Sequence, residues 1–98
     1  MKENLIKFIK NFEKELAKDF SNSWQDVNHY NYCLGLKETC MKAKSIINIT
    51  SVEKLIEELK KAQSEINYND YKGIERQYYV GAYNMYGYIM REIDMRGV

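Results

Sequence analysis

The sequence predicts an all-α protein of one domain (residues 1–98), built from two helical hairpins that pack as a four-helix bundle. The 98 residues contain no proline and only 5 glycines, a composition that suits long helices better than sheets joined by tight turns. Hydrophobic residues make up 45% and charged residues 30% of the chain, which is the balance of a folded globular domain. Apolar residues also recur at helical spacing along four segments.

The first predicted hairpin contains helix 1, from about residue 2 to 20, and helix 2, from about residue 25 to 48. Ser23, with Asp26 three residues later, marks the start of helix 2 as a capping residue. The apolar positions of each helix identify the side that we expect to face the core. They are Leu5, Phe8, Ile9, Phe12, Leu16 and Phe20 in helix 1, and Tyr30 or His29, Cys33, Leu36, Cys40, Ala43 and Ile47 in helix 2.

The second predicted hairpin contains helix 3, from about residue 51 to 67, and helix 4, from about residue 71 to 96. Thr50 and Glu53 have the spacing of a capping box at the start of helix 3. The connection at 67–70 is rich in residues that bond their own backbone. The expected core positions are Val52, Leu55, Ile56, Leu59, Ala62 and Ile66 in helix 3, and Ile74, Tyr78, Ala82, Met85, Ile89 and Ile93 in helix 4.

The two halves of the chain resemble each other, which suggests an internal duplication. Leu5-Ile6, Lys10, Glu15 and Leu16 match Leu55-Ile56, Lys60, Glu65 and Ile66, and Tyr32, Leu34, Gly35, Leu36 and Ile47 match Tyr78, Val80, Gly81, Ala82 and Ile93. A glycine inside a helix costs about 1 kcal/mol relative to alanine. If the duplication is real, helices 2 and 4 should be related by a rough two-fold axis and approach closely at Gly35 and Gly81. Shared helical composition is the alternative source of the similarity.

Composition and motifs argue against several kinds of function. A net charge of +1 gives no global attraction to nucleic acid or acidic membranes. We expect no membrane span and no signal peptide, and we expect Cys33 and Cys40 to be free, buried thiols in a reducing cytoplasm. The single histidine, His29, belongs to no catalytic motif, and Gly81 and Gly87 lie in a helical pattern, not in a phosphate-binding loop. We therefore expect no enzymatic activity, no cofactor and no metal site.

Helix 4 carries the most informative surface. Beside its core positions lies a second stripe, rotated by about 100°. The stripe consists of Tyr79, Tyr83, Tyr86 and Met90. A helix that is apolar around most of its circumference is either central or covered by a partner, and tyrosine is enriched at interfaces. We interpret the stripe as a partner-binding surface, with Tyr88, Arg76 and Arg91 as further members. The alternative is that these tyrosines rim the core with their hydroxyls in solvent.

Three functions fit this surface. The first is an inhibitor or adaptor that binds a protein partner. The second is a nucleic-acid or nucleotide binder, in which the tyrosines stack on bases beside Arg76, Arg91 and Arg96. The third is a structural homo-oligomer, because symmetric dimers are common.

The chain resembles the small helical accessory proteins of phages and mobile elements of AT-rich bacteria, a loose group that includes anti-CRISPR and other anti-defence inhibitors. The resemblance rests on size, on a composition rich in Lys, Asn, Ile and Tyr, and on the segment from Tyr32-Cys33-Leu34-Gly35-Leu36 through Ala43 to Ile47. It implies a protein that covers a surface on a host protein or complex, or that occupies a nucleic-acid or nucleotide site. The group has no shared catalytic residues that could be assigned here.

Overall fold

The protein is all-α, as its sequence predicts. The computed structural model describes residues 2–23 and 26–96. The four helices are α1 (Lys2–Ser23), α2 (Val27–Ile49), α3 (Leu55–Ser64) and α4 (Gly73–Met95), with short 3-10 turns at Val52–Lys54 and Tyr68–Asp70. Among the described residues there is no strand, and no helix is both long and apolar enough to cross a membrane.

The first connection differs slightly from the prediction. Helix α1 continues to Ser23 and does not end at Phe20. The N-cap of α2 is Asp26, whose carboxylate accepts a hydrogen bond from the backbone N–H of His29 at 3.2 Å. Ser23 is therefore not the capping residue, because it is still part of α1. The predicted first residue of helix 2, Gln25, lies outside the described residues.

The second connection includes Thr50, as the sequence predicts, but α3 begins at Leu55 and not at about residue 51. The predicted capping box is also wrong. Thr50 ends α2: its backbone N–H donates to the carbonyl oxygen of Ile46 at 3.0 Å. The next element begins after Ser51, whose side chain makes no capping hydrogen bond. Thr50 is thus committed to the helix before it and does not cap the one after it.

The third connection is longer than predicted, because α3 ends at Ser64 and not at residue 67. The backbone tightens there, with the N–H of Ile66 donating to the carbonyl of Gln63 at 3.0 Å. Helix α4 begins at Gly73, two residues later than predicted, with φ at 63°, a left-handed conformation that glycine adopts without steric cost. The predicted stop at Gly97 lies outside the described residues.

Helices α2 and α4 form the inner pair of the bundle, with α1 packed on α2 and α3 packed on α4. The core combines buried apolar residues of all four helices, including Leu5, Ile9, Leu36, Ile47, Leu55, Leu59, Met85, Ile89 and Ile93. Cys33 and Cys40 are buried free thiols.

Several residues predicted for the core lie further out. Phe8, Phe12 and Phe20 are only half-buried at the edge of the core. Val52 and Ile74 are exposed, and so are both Tyr30 and His29, the two alternatives for the first core position of helix 2. These residues lie near the ends of their helices or on α1, where fewer neighbouring elements cover them.

The inner helices of the two hairpins match in their bounds, whereas the outer helices differ, with 22 residues in α1 and 10 in α3. Helix α2 begins at Val27 and ends at Ile49, and α4 begins and ends 46 residues later, at Gly73 and Met95. We call residues related by this offset, or by 50 between α1 and α3, counterparts. The buried residues of α2 are Cys33, Gly35, Leu36, Thr39, Cys40, Ala43 and Ile47, and those of α4 are Gly81, Ala82, Met85, Tyr86, Ile89 and Ile93. Every buried residue of α4 is the counterpart of a buried residue of α2.

The two glycines lie where the backbones of α2 and α4 meet, which confirms the close approach predicted there. A Cβ added to Gly35 would overlap the carbonyl oxygen of Tyr78, and one added to Gly81 would overlap that of Tyr32. Tyr78 is the counterpart of Tyr32, so each glycine contacts the same position of the other helix. Such reciprocal contacts are those of two helices related by an approximate two-fold axis.

Two hydrogen bonds follow the same symmetry. The hydroxyl of Tyr78 donates to Glu38 at 2.8 Å, and the amide of Asn84 donates to the hydroxyl of Tyr32 at 3.1 Å. Asn84 is the counterpart of Glu38, so the same pair of positions links α2 to α4 twice. A tyrosine on either side of the glycine contact therefore holds the inner pair together.

Candidate binding groove

The tyrosine stripe predicted on helix 4 is largely covered by the protein itself. Tyr86 is only 5% exposed and belongs to the core, so the expectation that it forms an exposed surface is wrong. Tyr79 stacks on Tyr71 with ring centroids 4.1 Å apart, and Tyr83 meets Tyr68 edge to face at 5.4 Å. Both partners lie in the α3–α4 connection, which therefore covers much of the stripe.

The remaining predicted site residues separate into two regions. The guanidinium of Arg76 lies 5.4 Å from the ring centroid of Tyr68, so Arg76 belongs to the cluster at the α3–α4 connection. Met90 is half-buried against the core. Tyr88 and Arg91 lie together at a different place, the cleft between α1 and α4.

This cleft, which we call the α1–α4 groove, has a volume of about 320 Å³. It is lined by Phe8, Phe12, Tyr88, Arg91, Glu92 and Met95. The ring centroids of Phe12 and Tyr88 are 6.0 Å apart. The apolar part of the groove is thus aromatic, with one thioether at its end and one charge of each sign at its edge.

Tyr88 of α4 contacts α2 through its hydroxyl group. Its hydroxyl lies 3.5 Å from that of Tyr32, which in turn accepts from Asn84. The hydrogen bond with Tyr32, and then burial, raise the pKa of Tyr88. The positive charge of Arg91 opposes this shift. Tyr88 is nevertheless 36% exposed, so a partly fixed aromatic side chain is available to a partner.

The opposite side of the bundle provides an internal comparison. The counterparts of Phe8, Phe12 and Tyr88 are Glu58, Ala62 and Lys42. The backbone arrangement is repeated on that side, but the aromatic surface is not. Aromatic side chains at this place are therefore not a requirement of the fold.

Phe8 and Phe12 are the residues that the sequence reasoning missed, because their helical spacing assigned them to the core. A signal was available in the sequence: the matching of the two halves aligns them with Glu58 and Ala62. A glutamate at the matching position of the other half argues against a core position, since charged residues are almost never fully buried unless they are paired.

The groups with catalytic or metal-binding chemistry are few. Sγ of Cys33 lies 3.5 Å from Nε2 of His29, but burial, followed by the charge of Asp19, raises the pKa of the Cys33 thiol. The thiol is thereby kept in its unreactive protonated form at neutral pH. Within residues 2–23 and 26–96, no three His, Cys, Asp or Glu side chains are grouped so that they could hold a metal ion.

Comparisons of this chain with protein families, with curated protein sequences and with solved structures found no match.

Proposed function

We propose that the protein is a non-catalytic binding protein that contacts a protein partner through the α1–α4 groove. The single observation that supports this most strongly is the difference between the two sides of the bundle. Phe8, Phe12 and Tyr88 form an aromatic groove, whereas their counterparts are a glutamate, an alanine and a lysine. Aromatic residues in a concave site that excludes water carry much of the affinity in protein interfaces.

The composition of the groove favours a protein partner over nucleic acid. Nucleic-acid sites combine stacking residues with several cations that contact phosphates. One arginine lines the α1–α4 groove, and the one carboxylate there, that of Glu92, pairs with Arg96 at 2.9 Å. An apolar side chain from a partner, packed against Phe12 and Tyr88, suits the groove better than an anionic backbone.

The proposal includes the mode of action. A small all-α protein with one aromatic groove acts by covering a surface on its partner, as an inhibitor or an adaptor does. Proteins of this kind and size are carried by phages and mobile elements, and the anti-CRISPR and anti-defence inhibitors among them bind host complexes. We extend this role to the present chain on its size, composition and architecture.

The test compares two tyrosines with nearly equal exposure. Tyr88 in the groove is 36% exposed and Tyr30 on α2 is 38% exposed. The parent, Tyr88→Ala and Tyr30→Ala are used for affinity capture from a lysate of the native host, with and without nuclease. The captured partner is then purified and titrated against each protein by calorimetry. We expect Tyr88→Ala to weaken the complex by about 2 kcal/mol or more, and Tyr30→Ala to bind as the parent does.

Other results would point elsewhere. Capture that is lost on nuclease treatment would identify a nucleic-acid binder. If light scattering shows that the parent is a dimer and the Tyr88→Ala variant a monomer, the groove binds a second copy of the chain. Equal binding by all three proteins would exclude the groove as the contact surface.

A further inference from the structure

A second concave site lies on the opposite side of the bundle, between α2, α4 and the end of α3. It is a cavity of about 210 Å³. Three small residues line it, namely Thr39, Ala62 and Ala82. Their counterparts in the other half are the larger residues Met85, Phe12 and Leu36. The backbone differs here as well, because Glu65 and Ile66 follow the end of α3, whereas their counterparts Glu15 and Leu16 lie within α1.

Two buried residues with hydroxyl groups line this cavity. Thr39 is 2% exposed and Tyr86 is 5% exposed, and both line the cavity. Neither hydroxyl makes a hydrogen bond to any residue in the described part of the chain. Buried polar groups in native proteins are nearly always paired, with protein, with water or with a ligand. These two hydroxyls are therefore available to a molecule inside the cavity.

One charge of each sign lies at the cavity edge. Lys42 and Glu65 both line it and are exposed, and neither forms an ion pair with another described residue. Burial, and then the negative charge of Glu65, raise the pKa of Tyr86. The carboxylate of Glu65 would favour a positively charged group of a ligand beside it.

A tyrosine wall completes the site. The hydroxyl of Tyr78 is fixed by its hydrogen bond to Glu38, and its ring meets that of Tyr79 edge to face, with centroids 5.1 Å apart. Aromatic faces attract organic cations. The volume corresponds to roughly seven water molecules at about 30 Å³ each, which is enough for a small organic molecule.

From this arrangement we infer that the cavity binds a free amino acid, with the ammonium group beside Glu65 and the tyrosines, the carboxylate at Lys42, and a polar atom on the hydroxyls of Thr39 and Tyr86. A zwitterion uses both unpaired charges, whereas a simple amine or a simple acid uses one. The site is separate from the α1–α4 groove and does not depend on the function proposed for that groove.

The experiment uses the full chain and the common free amino acids, each at millimolar concentration. Binding is followed by protein-observed NMR and measured by calorimetry. Two variants remove one oxygen each and leave the shape nearly unchanged, Thr39→Val and Tyr86→Phe. Tyr83→Phe is the matched control, because Tyr83 lies on the same helix outside the cavity. A fourth variant, Thr39→Met, copies the counterpart residue and fills the space.

We expect at least one amino acid to bind, and to bind at least about tenfold more weakly to Thr39→Val and Tyr86→Phe, since each loses a hydrogen bond to a polar ligand. Tyr83→Phe should bind normally and Thr39→Met should not bind. Two analogues of the ligand keep its side chain but lack either the carboxylate or the ammonium group. Each should bind at least about tenfold more weakly than the amino acid, because it leaves Lys42 or Glu65 without a partner. The melting temperatures of the two oxygen-removing variants should equal or exceed that of the parent.

Three results would overturn the inference. If no amino acid perturbs the resonances of residues lining the cavity, water alone occupies it. If Thr39→Val and Tyr86→Phe bind as the parent does, the ligand lies elsewhere. If the amine or the acid binds as tightly as the amino acid, the site does not recognise a zwitterion.

Discussion

Gly35 and Gly81 show how single residues set the distance between two helices. At each glycine the partner helix contributes backbone atoms: besides the overlapping carbonyl oxygen, a Cβ would lie 3.0 Å from the nitrogen of Ala82 or 3.3 Å from that of Leu36. Backbone cannot move aside as the end of a flexible side chain can. The loss of helix propensity at these positions is therefore offset by the close packing that only glycine allows.

The glycines give a prediction with an internal control. Gly35→Ala and Gly81→Ala should each destabilise the protein by about 2 kcal/mol or more, because overpacking of a rigid contact outweighs the gain in helix propensity. Gly87 is also helical, but a Cβ there would meet only the side-chain nitrogen of Gln63 at an ordinary 3.5 Å. Gly87→Ala should therefore raise the stability by up to about 1 kcal/mol. Equilibrium urea unfolding measures all three.

The signs of these changes decide the interpretation. If Gly35→Ala and Gly81→Ala were as stable as Gly87→Ala, the helices would not be in backbone contact. If only one of the two were destabilised, the approximate two-fold symmetry would not extend to the energetics.

At the scale of elements, α2 and α4 are joined by polar contacts as well as by the core. Tyr78 and Glu38 form one link and Tyr32 and Asn84 the other. The two links differ in one respect: Glu38 is ionisable and Asn84 is not. Burial, then the hydrogen bond to Glu38 and its charge, raise the pKa of Tyr78 from the usual 10.0 to about 12.

This shift predicts a loss of stability at alkaline pH. A group whose pKa rises on folding stabilises the folded state fully below its unfolded pKa and loses that contribution as pH rises through its folded pKa. The link should thus be intact below about pH 10 and lost by about pH 12. Urea unfolding of the parent and Tyr78→Phe across this range should show their stability difference shrinking as pH rises.

Glu38→Gln serves as the matched variant for this measurement. Glutamine still accepts the hydrogen bond from Tyr78 but removes the negative charge, so the alkaline loss should become smaller. Parallel stability curves for the parent and Tyr78→Phe from about pH 8 to 12 would show that the link does not titrate.

At the scale of the whole molecule, the two cysteines report on cooperative unfolding. Cys33 and Cys40 are 1% and 0% exposed and lie on α2, which contacts every other helix. Burial, then the charge of Glu13, raise the pKa of Cys40 to about 12, although Lys44 opposes the effect. Neither thiol reaches solvent as an exposed thiolate in the folded protein.

Alkylation should therefore require the molecule to open. We expect both cysteines to react with a thiol reagent at least on the order of 10³ times more slowly in the folded protein than in urea, and at similar rates, because one opening exposes both. Mass spectrometry after timed quenching measures each site. Rapid native-state labelling of Cys40 would show that α2 is not part of a single cooperative unit.

Much of this molecule follows from the order of its residues. The absence of proline, the apolar spacing and the break at Thr50 indicate the helices and most of their boundaries, because these depend on local interactions. The matched glycines likewise indicate where α2 and α4 meet. The capping residues do not follow in the same way, since Ser23 and Asp26, or Thr50 and Ser51, are all suited to cap a helix until the helix ends are fixed.

The tertiary structure alone decided which apolar face meets which neighbour. Periodicity shows that α4 has two apolar faces, but it does not show what covers them. In the structure α4 is one of two inner helices, so Tyr86 is buried. Tyr79 and Tyr83 pack on the α3–α4 connection. The same limit applies to Phe8 and Phe12, whose spacing is that of core residues but which line a groove, because only one side of α1 is covered. Helix formation is local, whereas burial depends on residues distant in sequence, and the candidate site was therefore determined by packing.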